Sequence, residues 1–202
     1  MFTDIVMPEG NERDFMRMAL HLGYESLICL YGSPQKRNDI QDMAGDEGMR
    51  VLIAALPKGK AIKRPAFADH LFAQGEKPRQ FIERPGVSLV YDTESSHPRK
   101  FMHHRGSGLN QVLCRMAAEK ETAIGFNLSR ILMAKPVERS RLMGCMRQNI
   151  HLCRKYKVMM RLASFARNPF LMRAPHDVLS FGVSLGMHPA EAKASLTLSE
   201  QE

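Results

Sequence analysis

The chain has 202 residues and a mass of 22.9 kDa, with 44% hydrophobic and 25% charged residues. That size and balance build one ordinary domain with a full apolar core and exclude a disordered or fibrous chain. The formal net charge is +8 with a pI near 9.5, which points to a polyanionic partner such as nucleic acid.

No stretch approaches about 18 uninterrupted apolar residues, and Met1 to Glu9 carries Asp4 and Glu9 where a secretory leader has a basic and then an apolar segment. Neither a membrane span nor a secretory signal is expected. Met1 to Arg50 nets −4, Val51 to Ser129 +5, Arg130 to Arg173 +10 and Ala174 to Glu202 −3. More than the whole surplus lies in one segment, which in folded sequence becomes either a footprint for phosphate or a solvated face tuned for solubility. Cys29, Cys114, Cys145 and Cys153 sit among apolar neighbours without CxxC spacing. They read as buried free thiols in a reducing, cytoplasmic location.

Phe2 to Met7 is a short apolar run. Asn11 then caps a helix with Phe15, Met18, Ala19 and Leu22 at helical spacing and Gly23 as its stop. Ser26 to Tyr31 reads as a strand, Arg37 to Glu47 as a polar helix, and Arg50 to Leu56 and Val87 to Tyr91 as further strands. Pro57 to Pro85 is the least regular region, within which Lys77 to Glu83 is the candidate for a seventh strand. Gly106 to Lys120 reads as a helix capped by Ser107, with Leu109, Val112, Leu113, Met116 and Ala117 on one face. Thr122 to Asn127 is a strand, Val137 to Lys155 a long helix with a Met143, Met146, Ile150 and Cys153 stripe, and Val158 to Ser164 the last strand. Pro175 and Pro189 each open a closing helix, with Gly186 between them. Strands alternating with helices at this spacing predict an α/β fold with right-handed crossovers. The sheet is then an open doubly wound one, or a parallel βα barrel of about seven strands with outer helices.

Catalytic patterns are scarce. The eight histidines form no HxH or HExxH, and the glycines form neither GxGxxG nor GxxxxGK[ST]. No metal site and no cofactor is expected. The adjacent His103 and His104 read as surface or RNA-facing. Asp92 and Glu94 are a weak acid/base pair, better read as an ordinary polar loop. Cationic clusters are plentiful: Lys58, Lys60, Lys63 and Arg64 in PKGKAIKR, and Arg99, Lys100 and Arg105 around Phe101 in HPRKFMHHR. The latter precede a helix entry where Arg105 and Ser107 either hold a phosphate or stand solvated and capping. On the long helix, Arg147, His151, Arg154 and Lys155 form a basic face opposite the methionine stripe.

Six strings, taken in order, carry a family likeness: DIVMPEGN from Asp4, HRGSGLNQVL from His104, AIGFNLSRIL from Ala123, RKYKV from Arg154, ASFA from Ala163 and RAPHDVLSFGVSLGM from Arg173. Together they resemble the archaeal and eukaryotic ribonuclease P protein component 3 family over most of the chain. The resemblance implies a TIM-barrel-like fold for residues 1–202 as one slightly irregular barrel. It also implies membership in the ribonucleoprotein that removes the 5′ leader from precursor tRNA, with cleavage carried by the RNA subunit and none by this chain. The partners so implied are the ribonuclease P RNA, ribonuclease P protein component 2, other protein subunits and, indirectly, precursor tRNA. With component 2 the chain would bind the catalytic domain of the RNA and help it fold. By resemblance, Arg105 and Ser107, Arg130, and Arg173 with His176 are assigned to RNA or partner contact. The similar polymerase and histidinol phosphatase barrels carry an HxH after the first strand, where this chain reads TDIVMP. Two rival readings are a metal-dependent phosphoesterase on a related barrel and a protein-binding scaffold using the methionine-rich helix.

Overall fold

The protein is seen here as a computed structural model that describes residues 1–57, 64–75, 77–95 and 106–198. The chain runs β1 (Thr3–Val6), α1 (Glu12–Leu22), β2 (Ser26–Tyr31), α2 (Arg37–Glu47), β3 (Arg50–Ala55), β4 (His70–Gln74), α3 (Pro78–Ile82) and β5 (Leu89–Tyr91). It continues through α4 (Gln111–Glu119), β6 (Ala123–Asn127), α5 (Leu128–Met133), α6 (Pro136–Tyr156), β7 (Met160–Ala163), α7 (Pro175–Ser184) and α8 (Pro189–Ser195). All neighbouring strands pair in parallel, and their order in the sheet is their order in the chain. This is the arrangement that successive βα units make when the sheet curls round without reversing.

The two edges of the sheet meet. Phe165 N donates to Ile5 O at 2.7 Å, Met7 N to Ala166 O at 2.8 Å, and Ser164 N to Asp4 Oδ1 at 2.7 Å. The result is a nearly closed, TIM-barrel-like α/β fold. Its seam is held partly by a side chain: Asp4 is wholly buried and also accepts from Ile5 N at 2.9 Å.

Alternation along the strands sorts residues into two apolar groups. Ile5, Ile28, Leu30, Ala54, Phe72, Leu89, Tyr91, Ala123, Ala163 and Phe165 fill the barrel. Leu27, Cys29, Val51, Ile53, Leu71, Val90, Ile124, Phe126 and Leu162 point outward into the layer beneath the helices. Inside, the Tyr91 and Phe165 rings stack with centroids 4.6 Å apart. Gly125 makes room for them, because a Cβ there would stand 2.9 Å from Tyr91 Cβ. The four cysteines are buried and free, as expected.

Three expectations need correction. The seventh strand is His70–Gln74, whereas the Lys77 to Glu83 stretch holds helix α3 with Pro78 in its first turn. A proline lacks the N–H that a buried strand must donate, but suits a helix start, where that donor is unused. Second, Ser107 does not cap α4. Asn110 does, its Oδ1 accepting from Leu113 N at 2.9 Å. Val112, placed on the packed face from the sequence, is 53% exposed.

Candidate nucleic-acid interface

The carboxyl ends of β5 and β6 hold a buried polar cluster. Beyond β5 the chain enters a short 3-10 turn, Thr93–Ser95, which carries Glu94 inward beneath α6. Asn149 of α6 is fully buried, and its Nδ2 faces Thr93 Oγ1 at 3.1 Å, Glu94 Oε1 at 3.1 Å and Ser107 O at 2.9 Å. Asn149 thus ties together the chain on both sides of residues 96–105. Burial pushes the Glu94 carboxyl up to about 7 and also raises Asp92, which Arg130 opposes. Asp92 and Glu94 are 3% and 0% exposed, so the expectation of an ordinary polar loop there is wrong. The apolar run that ends at Tyr91 carries no sign that the next turn folds inward.

Arg130 stands over this cluster, with Nη1 3.7 Å from Asp92 Oδ2. Asn127 caps α5 by accepting from Arg130 N at 3.1 Å, which sets Arg130 at the mouth of the barrel. Ser107 lies in the same region but is 1% exposed. It belongs to the interior, and the expected contact of its hydroxyl with RNA gives way to a structural role through its carbonyl. At the mouth beside β1 and β2 is a cavity of about 400 Å³ lined by Met7, Pro8, Glu9, Leu30, Tyr31 and Arg167, with Glu9 and Arg167 paired at 3.7 Å. Among the described residues, no three His, Cys, Asp or Glu side chains converge as a metal-ligand group.

The other expected contacts are scattered. Arg173 donates to Phe170 O at 3.1 Å and Met172 O at 2.7 Å, and His176 is exposed beside Phe2. Phe2 precedes β1, and Tyr24, which donates to Arg173 O at 2.8 Å, precedes β2. Arg173 and His176 therefore lie at the amino end of the barrel, opposite Arg130. Arg64 is exposed and donates to Asp69 O at 2.6 Å ahead of β4. Lys58, Lys60, Lys63, Arg99, Lys100 and Arg105 lie outside the described residues, as do His103 and His104.

The basic face expected on α6 is present with one loss and one gain. Arg154 is drawn away by Glu191 at 2.7 and 2.5 Å and by Gly186 O at 2.7 Å, and this pairing holds the Glu191 carboxyl down at about 2. Arg141 joins the exposed side. Its seven-residue spacing to Gln148 and Lys155 is the signal that finds it in the sequence.

Fold and surface together define a class: a TIM-like barrel whose helical coat bears a cationic face. Residues 99–201 match the RNase P subunit p30 family. Ribonuclease P protein component 3 of Methanococcoides burtonii is 36% identical over 204 residues, covering 95% of this chain and 80% of that protein. The component 3 of Thermococcus kodakarensis is 29% identical over 163 residues, covering 79% and 72%. The chain belongs to the RNase P subunit p30 family. Among solved structures, a chain in the cryo-EM structure of archaeal ribonuclease P with mature tRNA has the same fold, with a TM-score of 0.79 at 20% identity over 96% of this chain and 86% of that one. The crystal structure of A. niger ochratoxinase matches with a TM-score of 0.62 at 13% identity over 97% of this chain and 69% of that one. At that identity it shares the fold alone.

Proposed function

We propose that this chain is an RNA-binding protein subunit of ribonuclease P, acting in removal of the 5′ leader from precursor tRNA. In this reading residues 1–202 work as one barrel unit in the cytoplasm, a location that four free buried thiols suit. The chain carries no cleavage chemistry of its own and needs no cofactor; the RNA subunit performs the reaction. With component 2 it stabilises the catalytic domain of that RNA, in company with the other protein subunits, and meets precursor tRNA indirectly.

The observation that carries this reading is the match to a component 3 protein over 95% of the chain. The physical means is the +10 segment from Arg130 to Arg173, since cations that neutralise phosphates release counterions and so drive association. Direct contacts are assigned to Lys58, Lys60, Lys63, Arg64, Arg99, Lys100, Arg105, Arg130, Arg173 and His176, with Ser107 supporting them from the interior.

The test is precursor-tRNA cleavage at limiting magnesium by cognate ribonuclease P RNA and component 2, with and without this chain, alongside the chain alone. Rescue in the full mixture only is the expected result. Cleavage by the chain alone, or no effect in the mixture, overturns the reading.

A further inference from the structure

From Lys135 to Lys157 the chain carries seven cations and one acid, Glu138. Two of the seven have partners within the fold. Arg139 donates to the carbonyls of Ile131, Leu132 and Ala134 at the end of α5, and Arg154 is held by Glu191. Lys135, Arg141, Arg147, Lys155 and Lys157 are exposed and have no carboxylate partner among the described residues. The first half of the chain behaves differently. There Arg13 pairs with Asp46 at 3.0 Å, Arg17 with Glu47 at 3.1 Å, Arg37 with Asp69 at 2.7 Å and Arg79 with Glu83 at 2.6 Å.

Three of these five cations share one face of α6. At about 100° per residue, Arg141, Arg147, His151 and Lys155 share one exposed arc of α6, opposite the buried Leu142, Met146, Ile150 and Cys153. Arg141 and Lys155 stand about 21 Å apart along the axis at 1.5 Å per residue. Beside the last turn, Arg115 of α4 lies 5.5 Å over the Tyr156 ring, which Lys155 also approaches at 5.6 Å. A face tuned only for solubility mixes signs, whereas the exposed charges of this one are all cationic.

We propose that this face of α6, through Arg141, Arg147 and Lys155 with Arg115 at its end, is a rail for the phosphate backbone of double-stranded RNA. The inference rests on the reading of the chain as an RNA-binding subunit and adds a surface to the contacts assigned above. Between Arg141 and Lys155 the arc holds the half-buried Gly144 and Gln148 and the exposed Arg147 and His151 and no apolar side chain, and the exposed Val137 stands one turn before Arg141, at the edge of the surface and not at its centre. A protein partner would need a buried apolar or aromatic anchor at its centre, and single strands are held by open aromatic platforms. Duplex RNA is recognised by shape and phosphate contacts, which charges spread along one face of a helix supply.

The experiment uses the full chain, a fluorescent RNA duplex of about 16 base pairs, and anisotropy titrations between about 50 and 200 mM KCl. The Arg141→Gln, Arg147→Gln, Lys155→Gln triple variant should lower the slope of log K against log salt by about 2 to 3. A control removing the same charge at the exposed Arg50, Lys77 and Lys193, each to Gln, should keep the parent slope. Circular dichroism confirms that each variant folds. Duplex binding with an unchanged slope in the α6 triple overturns the inference, as does an equal loss in both triples, which assigns binding to net charge alone. An α6 triple that binds RNA as the parent does, yet no longer assembles with the other protein subunits, reassigns the face to protein and also overturns it. A parent chain that binds no RNA at all is a different outcome, one that removes RNA binding from the proposed function itself.

Discussion

Replacing Glu94 by Gln tests the buried cluster under α6. Glu94 is 0% exposed; its Oε1 receives the Asn149 amide at 3.1 Å, while Oε2 has no hydrogen-bond partner among the described residues. Burial raises the carboxyl from 4.5 to about 7; Asp92 nearby raises it further and Arg130 opposes the rise. An acid raised in the folded state keeps its proton there after the unfolded chain has released it. Its contribution is therefore complete below about pH 4.5 and is lost as the pH climbs through the interval to about 7. At roughly 1.4 kcal/mol per pH unit, that interval amounts to about 3 kcal/mol. Glutamine keeps the shape and the acceptor and cannot ionise. Urea unfolding of the parent and Glu94→Gln should then give stabilities within about 1 kcal/mol of each other near pH 5, with the variant about 3 kcal/mol more stable at pH 8. For a chain of this size the gain at pH 8 corresponds to about 6 to 12 °C in Tm. A variant less stable than the parent at pH 8 refutes the reasoning, because it means that the ionised carboxylate is held by a cationic partner.

Two further substitutions test the barrel itself. Gly125→Ala sets a methyl group 2.9 Å from Tyr91 Cβ and 3.0 Å from Leu89 Cδ2, and should lower stability by about 1 to 3 kcal/mol; an unchanged thermal midpoint means that the Tyr91 and Phe165 stack is not tightly constrained. Asp4→Ala leaves the Ser164 and Ile5 amides without their shared acceptor and should cost about 3 kcal/mol. Asp4→Asn retains that acceptor and should cost far less in the same urea titration, so equal losses in the two variants argue against a side-chain clasp at the seam.

Much of the barrel is legible in the residues. Ser26 to Tyr31 and Arg50 to Leu56 are short continuous apolar runs between turn signals, as strands buried on both faces must be. Asn11 to Gly23 has an apolar stripe and a left-handed glycine stop, and the helix ends there as read, although Asn11 accepts from Glu9 N and does not cap it. The fourth strand was not legible. HLFAQ is five residues long and meets β3 at only two positions, Ala54 with His70 and Ala55 with Leu71. The sequence points to Lys77 to Glu83 as the strand instead, where Pro78 starts a helix.

The candidate surface divides in the same way. Composition and order along the chain determined the excess of cations, the segment that holds it, the alternation of strands with helices and the family likeness. The first three are properties of local periodicity and of counting, and the likeness rests on six motifs and their order. Only the tertiary structure decided which cations remain available: Arg154 and Arg139 have partners within the fold, whereas Arg141, Arg147 and Lys155 have no carboxylate partner among the described residues along one face. It also decided that Arg130 and Arg173 lie at opposite ends of the barrel, and that Glu94, Ser107 and Asn149, up to 55 positions apart in the chain, share one buried cluster. The physical reason is that periodicity sets which way a side chain points, while its partners and its solvent are set by contacts between residues far apart in the chain.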